Sequence, residues 1–176
     1  MSQPESALII EVPAAEPFAG PWRARYDSSA AAGVPAHITV LYPFVRPDEI
    51  GPSAERTLGE LAAASHAFDF VLDRVDAFPA VIWLAPHPAH PFRRLTQQVM
   101  RRFPGLLPYG GEFPDVPPHL TLAETDAVDH DALMSEVVAR FRQEGTIAAR
   151  ADRLTLLVSD ESRCWRPRAR WEFLAP

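Results

Sequence analysis

The chain has 176 residues, of which 47% are hydrophobic and 23% charged, a composition suited to one ordinary globular domain with a substantial core. Its formal net charge of −6 excludes a general affinity for long nucleic acid, DNA included, while a small anionic ligand or an RNA end remains compatible with it. All 17 basic residues are Arg, so a lysyl-nucleotide intermediate, a Schiff base and a P-loop lysine are excluded as well.

From the N-terminus, Ala7–Val12 reads as a short buried strand. Pro13–Pro21 reads as a Pro/Ala-rich connection, and Trp22–Ser28 as the start of a short helix. Ala36–Tyr42 is an alternating strand closed by Pro43 and Pro47. Ser53–Ser65 has helical spacing, with Ser53 placed to cap it. Phe68–Leu72 and Ala80–Leu84 are predicted strands. Phe92, Leu95, Val99 and Phe103 mark one face of a helix that stops at Pro104-Gly105. A Gly/Pro-rich loop, Pro108–Pro118, leads to a second alternating strand. Asp131–Gln143 is helical, Ile147–Val158 reads as one long strand, and Arg170–Leu174 as the last.

The two alternating strands say the same thing. Val34-Pro35-Ala36-His37-Ile38-Thr39-Val40 recurs as Val116-Pro117-Pro118-His119-Leu120-Thr121-Leu122. Side chains two apart on a strand share a face, so His37 projects with Thr39 and His119 with Thr121, each pair backed by aliphatic residues. One His-x-Thr is a weak signal; two with a shared Val-Pro lead-in are not. The order His strand, helix, strand, strand also repeats, and Asp73-Arg74-Val75 is echoed by Asp152-Arg153-Leu154 at the same offset. The expectation is an α+β fold: a single domain over 1–176 made of two pseudo-twofold lobes. One lobe is centred on 36–84 and the other on 116–174, each an antiparallel sheet under its own outer helices, with the site in the central cleft.

His37-Ile38-Thr39-Val40 and His119-Leu120-Thr121-Leu122, 82 residues apart, resemble the signature of the two-histidine (2H) phosphoesterases, which include 2′-5′ RNA ligase-like proteins and 2′,3′-cyclic phosphodiesterases. The resemblance covers nearly the whole chain and implies a two-lobed α+β fold with a central cleft. It also implies that the 3′ oxygen leaves a 2′,3′-cyclic phosphate, yielding a 2′-phosphate, and that the reverse reaction is an ATP-independent RNA ligation.

The residues suit that chemistry. Opening a cyclic phosphate needs a water deprotonated on one side and an alkoxide protonated on the other. Two imidazoles can do both near neutral pH, while the Thr39 and Thr121 hydroxyls donate to the non-bridging phosphoryl oxygens. The scheme requires no metal and no cofactor. Either His can be the base, since the halves are nearly equivalent. A nucleotide or RNA-end binding module without turnover is the alternative reading.

Around this centre, Phe44, Phe113, Arg163, Trp165 and Arg166 are candidate substrate contacts, the last three in a basic, aromatic-interleaved stretch that also holds Arg168. Tyr42 is expected to share the Ile38 face as a core residue with a polar tip. His66, His87, His90 and His130 read as ordinary surface residues, Arg93, Arg94, Arg101 and Arg102 as the solvated face of a helix, and Arg25 and Asp27 as neighbours placed to brace the first motif. The single cysteine, Cys164, forms no internal disulfide and reads as structural. No apolar run approaches a membrane span, and no basic n-region precedes a long apolar stretch, so a cytoplasmic protein is expected; the sequence leaves the oligomeric state open, with a monomer favoured.

Overall fold

The computed structural model describes residues 3–113, 115–126 and 128–175; Met1, Ser2 and Pro114 of the predicted loop lie outside them. In chain order the elements are β1 (Ser6–Glu11), α1 (Glu16–Tyr26), a single turn α2 (Ser28–Ala31), β2 (His37–Leu41), α3 (Pro52–Ala63), β3 (Phe68–Phe78), β4 (Val81–His87), α4 (His90–Arg102), β5 (Leu120–Glu124), α5 (His130–Glu144), β6 (Ile147–Ala151), β7 (Arg153–Ser159) and β8 (Trp165–Glu172). A 3-10 turn precedes α1, and another spans Pro108–Gly111.

Several boundaries differ from expectation for identifiable reasons. α1 begins at Glu16, inside the stretch read as a connection. Pro17 sits in its first turn, where no intrahelical donor is needed, and Pro21 is tolerated because Phe18, Ala19 and Arg23 are buried. α3 is capped by Gly51 and opens on Pro52, so Ser53 lies inside the helix. β8 starts at Trp165, five residues before the expected strand. The segment Ile147–Val158 is two strands, not one: it breaks at Asp152, and β6 and β7 join different sheets.

The strands form two antiparallel four-stranded sheets, ordered β2-β1-β7-β8 and β5-β4-β3-β6. The expectation that each half builds its own sheet is therefore corrected: β3 and β4 leave the first half to pair with β5 and β6, while β7 and β8 return to β1 and β2. The repeat is visible in the register. The N-terminal part of β3 pairs with β6 and its C-terminal part with β4, just as β7 pairs with β1; the irregularity between Leu72 and Arg74 stands where the chain breaks at Asp152. The echoed Asp-Arg pair marks that equivalent point.

The helices are exchanged too. α1, which links β1 to β2, packs over β5 with α5, where Phe18 meets Phe141 edge-on at 5.5 Å; α4, which links β4 to β5, packs over β2 beside α3. The main apolar core is shared, with Ile10 and Ile38 of the first sheet and Leu84, Leu120 and Leu122 of the second in the same cluster. The opposite faces of the two edge strands, β2 and β5, carry the His-x-Thr motifs.

Candidate active site

β2 and β5 lie side by side as the inner edges of the two sheets. Ile38, Val40, Leu120 and Leu122 are fully or nearly fully buried, whereas His37, Thr39, His119 and Thr121 are half-buried on the opposite face. Strand periodicity thus delivers all four polar side chains to one cleft, as the sequence implied.

The two imidazoles are anchored alike. His37 Nδ1 lies 2.8 Å from the Pro35 carbonyl oxygen, and His119 Nδ1 lies 2.8 Å from that of Pro117. A carbonyl only accepts, so each Nδ1 carries the proton and donates it, leaving Nε2 as the free, basic nitrogen. In both halves the acceptor is the carbonyl of the proline two residues upstream.

Burial pushes His37 down from the ordinary imidazole value to about 4; the Pro35 carbonyl opposes it, the Arg23 cation lowers it further, Asp27 raises it, and His119 lowers it again. The effect of His119 on His37 accords with the two rings facing one cleft. Burial also lowers His119, with the Pro117 carbonyl opposing. Both imidazoles are therefore held neutral in the cleft, and a bound phosphodianion or monoanion would draw them back up.

The surroundings differ between halves. His119 stands among aromatic rings: Phe78 at 5.2 Å, Trp83 at 5.7 Å and Tyr109 at 6.4 Å between centroids, the last nearly parallel to it. Trp83 is the cross-strand partner of Thr121. Its Nε1 is the one buried side-chain polar atom among the described residues without a hydrogen-bond partner. Tyr109 bridges the cleft. Its backbone N–H donates to the Tyr42 carbonyl at 2.6 Å; burial raises its phenol, and a side-chain hydrogen bond with Thr39 acts against that. Its φ of +51° lies in the left-handed region, and the two glycines that follow are at positive φ as well.

On the first sheet, His37 faces a polar row. Glu11 is its register partner on β1 and accepts from Thr155 Oγ1 at 2.7 Å and Arg170 Nε at 2.8 Å. Burial works to raise the Glu11 carboxyl, but the hydrogen bonds from Arg170 and Thr155 outweigh it and hold the group below the usual carboxylate range.

The sequence candidates divide. Phe113 is half exposed at the rim, 6.1 Å from the Tyr109 ring. Trp165 packs against Tyr42 at 6.3 Å on the cleft face of the first sheet; burial and the Glu5 carboxylate raise the Tyr42 phenol, and Arg163 is near enough to act against them. Tyr42 itself is a correction. The register slips between Leu8 and Ile9, giving β2 one extra residue after Thr39, so Leu41 turns into the core and Tyr42 turns to the cleft, where its hydroxyl donates to Glu5 at 3.0 Å. Phe44 is also a correction: it is buried to 6% exposure and packs edge-on against Phe103 at 4.9 Å, out of reach of any substrate. Arg166 pairs with Val158 and projects from the face opposite Trp165. Arg168 is occupied by Glu55 and the Pro47 and Ile50 carbonyls.

Among the described residues, no group of three or more His, Cys, Asp or Glu side chains is arranged to hold a metal ion. None of the helices there is long and apolar enough to cross a membrane.

A family model described as the 2′-5′ RNA ligase superfamily matches residues 11–163. Solved structures similar to the chain include E. coli LigT complexed with NADP+ (20% identity over 98% of this chain and 99% of that one, TM-score 0.56) and the same protein complexed with 3′-AMP (20% identity, the same coverage, TM-score 0.57). The protein TT0787 of Thermus thermophilus is similar at 16% identity over 96% and 97% of the two chains, with a TM-score of 0.59. At these identities the likeness is one of fold. No curated protein matches the chain.

Proposed function

Because the chain belongs to the 2′-5′ RNA ligase superfamily, of the two-histidine phosphoesterase kind, we propose that it is an enzyme that opens 2′,3′-cyclic phosphate ends of nucleotides or RNA, or cleaves 2′-5′ linkages, by metal-independent acid–base catalysis. The observation that carries this reading is the matched pair of anchored imidazoles. Two neutral rings, each with Nδ1–H on a proline carbonyl and Nε2 free, face one cleft from adjacent edge strands, with a Thr hydroxyl beside each.

In the reaction one Nε2 takes a proton from water as it attacks phosphorus, and the other, protonated, delivers its proton to the departing ribose oxygen. The P–O bond to water forms as the P–O bond to that oxygen breaks. Thr39 and Thr121 donate to the non-bridging oxygens and hold the phosphorus between the rings. With Nδ1 fixed in both imidazoles, the proton enters and leaves at Nε2 alone. With a 5′-hydroxyl in place of water as the attacking group, the same steps join RNA ends without ATP. Phe113, Tyr42 and Trp165 supply ring faces on which a base can stack, with Arg163 beside them. That E. coli LigT is complexed with NADP+ and 3′-AMP supports a small nucleotide or an RNA terminus as the ligand here.

The test is hydrolysis of a panel of nucleoside 2′,3′-cyclic phosphates and 2′-5′ oligonucleotides in excess EDTA, with the product phosphate located by NMR. Activity persists in EDTA, the 2′-phosphate forms, and His37→Ala and His119→Ala each lose at least about 100-fold in kcat. Full activity in either variant removes the mechanism. Tight nucleotide binding without turnover by the wild type would leave a binding module.

A further inference from the structure

The loop that delivers His37 is tied down by a buried ion pair. Arg23 and Asp27 are 2% and 5% exposed, and Arg23 Nε donates to Asp27 Oδ2 at 2.8 Å. The same guanidinium donates from Nη2 to the Val34 carbonyl at 2.9 Å and to Ser29 Oγ at 3.4 Å, while Asp27 Oδ1 accepts from the Ser29 N–H and Oγ. Glu16, 4.0 Å from Arg23, accepts the Ala36 N–H at 2.7 Å. The Val34 N–H goes to the Ser29 carbonyl and the Ala36 carbonyl takes the Val12 N–H. With His37 on the Pro35 carbonyl, every backbone polar group of Val34, Pro35 and Ala36 is bound.

The matching loop of the other half is unlike this. Among the described residues, Val116–Pro118 shows only the Pro117 bond to His119, and the ion pair nearest it in sequence, Arg93–Asp115, lies at the surface. A buried ion pair is a poor stabiliser against an apolar pair of the same volume, so its presence in one half alone calls for a local task.

We propose that Arg23, clamped by Asp27, is a positioning residue for His37: it fixes the Val34–Ala36 loop so that Nδ1–H stays on the Pro35 carbonyl and Nε2 faces the reacting phosphorus. The proposal rests on the phosphoesterase reading for its catalytic consequence, but its structural content stands without substrate. The charged and titratable groups facing His37 are Arg23 and Asp27 from the end of α1, Glu11 across the strand pair and His119 across the cleft. Arg23 and Asp27 act on it as an opposed pair, so the loop can be braced by a cation without leaving an uncompensated positive charge behind the imidazole.

The experiment uses the full chain, labelled with 15N-histidine, as wild type, Arg23→Met/Asp27→Leu and Asp27→Asn. His tautomers and titration are read by NMR without substrate, with kcat, KM and pH profile on a nucleoside 2′,3′-cyclic phosphate and a thermal melt alongside. The double variant removes both charges and keeps the volume. We expect His37 to change from a single Nδ1–H tautomer to a mixture while His119 stays unchanged, with kcat down about 10- to 100-fold and KM within about threefold. Asp27→Asn, which keeps the shape and weakens the clamp on Arg23, is expected to bring in the second His37 tautomer as well, a change that does not follow from the loss of a nearby charge alone. A cooperatively melting double variant with an unchanged His37 tautomer overturns the proposal. If that variant does not fold, an unchanged single His37 tautomer in Asp27→Asn overturns it. If the wild type hydrolyses nothing on the panel, the phosphoesterase reading falls and the NMR result still decides the positioning role.

Discussion

Tyr109 and His119 stand nearly parallel, their rings 22° from coplanar and 6.4 Å apart, while the Tyr109 backbone is bound to Tyr42 in the other half of the chain. One loop residue thus covers the second imidazole and reaches back to the first motif through Thr39. Tyr109→Ala uncovers His119, and since burial is what depresses that imidazole, its titration is expected to return toward 6.5. Tyr109→Phe keeps the ring and is expected to leave His119 where it is. Proton NMR of the His119 ring separates the two, and equal values in both variants would refute the account.

Stability and activity should both depend on pH through these rings. His37 titrates near 4 folded and near 6.5 unfolded, so its burial in neutral form contributes fully above about pH 6.5 and is lost as pH falls toward 4. The ring is partly open to the cleft, so the contribution is at most about 3 kcal/mol. The thermal midpoint is expected to drop between pH 7 and pH 4, and less so in His37→Gln. For catalysis one ring must be neutral and the other protonated, and both are lowered. The kcat/KM optimum is therefore expected on the acid side of 6.5, with apparent values that belong to the pair. An optimum above about pH 8 would contradict it.

Phe44 and Phe113 test the division between core and rim. Phe44→Ala removes a buried ring that meets Phe103 and is expected to cost about 3–5 kcal/mol in denaturant unfolding, with KM unchanged in the protein that remains folded. Phe113→Ala is expected to leave the melting curve within about 0.5 kcal/mol and to raise KM several-fold. The reverse pattern would reassign both residues.

The shared cleft face of His37, Thr39, His119 and Thr121 was legible because strand alternation is local: His37 and Thr39 share a face whatever the rest of the chain does. The same rule failed at Tyr42, three residues on, because a register slip against β1 is set by the partner strand and leaves no mark in β2 itself. Helix α4 was readable from Phe92, Leu95 and Val99, whereas α1 was hidden by Pro17 and Pro21, whose cost is met by contacts with α5 and β5 that no local pattern reveals. Arg23 does not stand out from Arg25 in the sequence, because only the folded chain shows which of the two turns inward. Trp83 and Phe78 reach His119 through strand pairing, and Tyr109 through a left-handed turn in a loop that carries no periodicity.

The crossing of β3–β4 and of β7–β8 between sheets means that neither half of the duplication encloses a complete hydrophobic unit. A nick in the stretch between α4 and β5 would leave two pieces that each own strands in both sheets. They would stay interlocked, like links of a chain, and each histidine would keep its place only while the other piece was present.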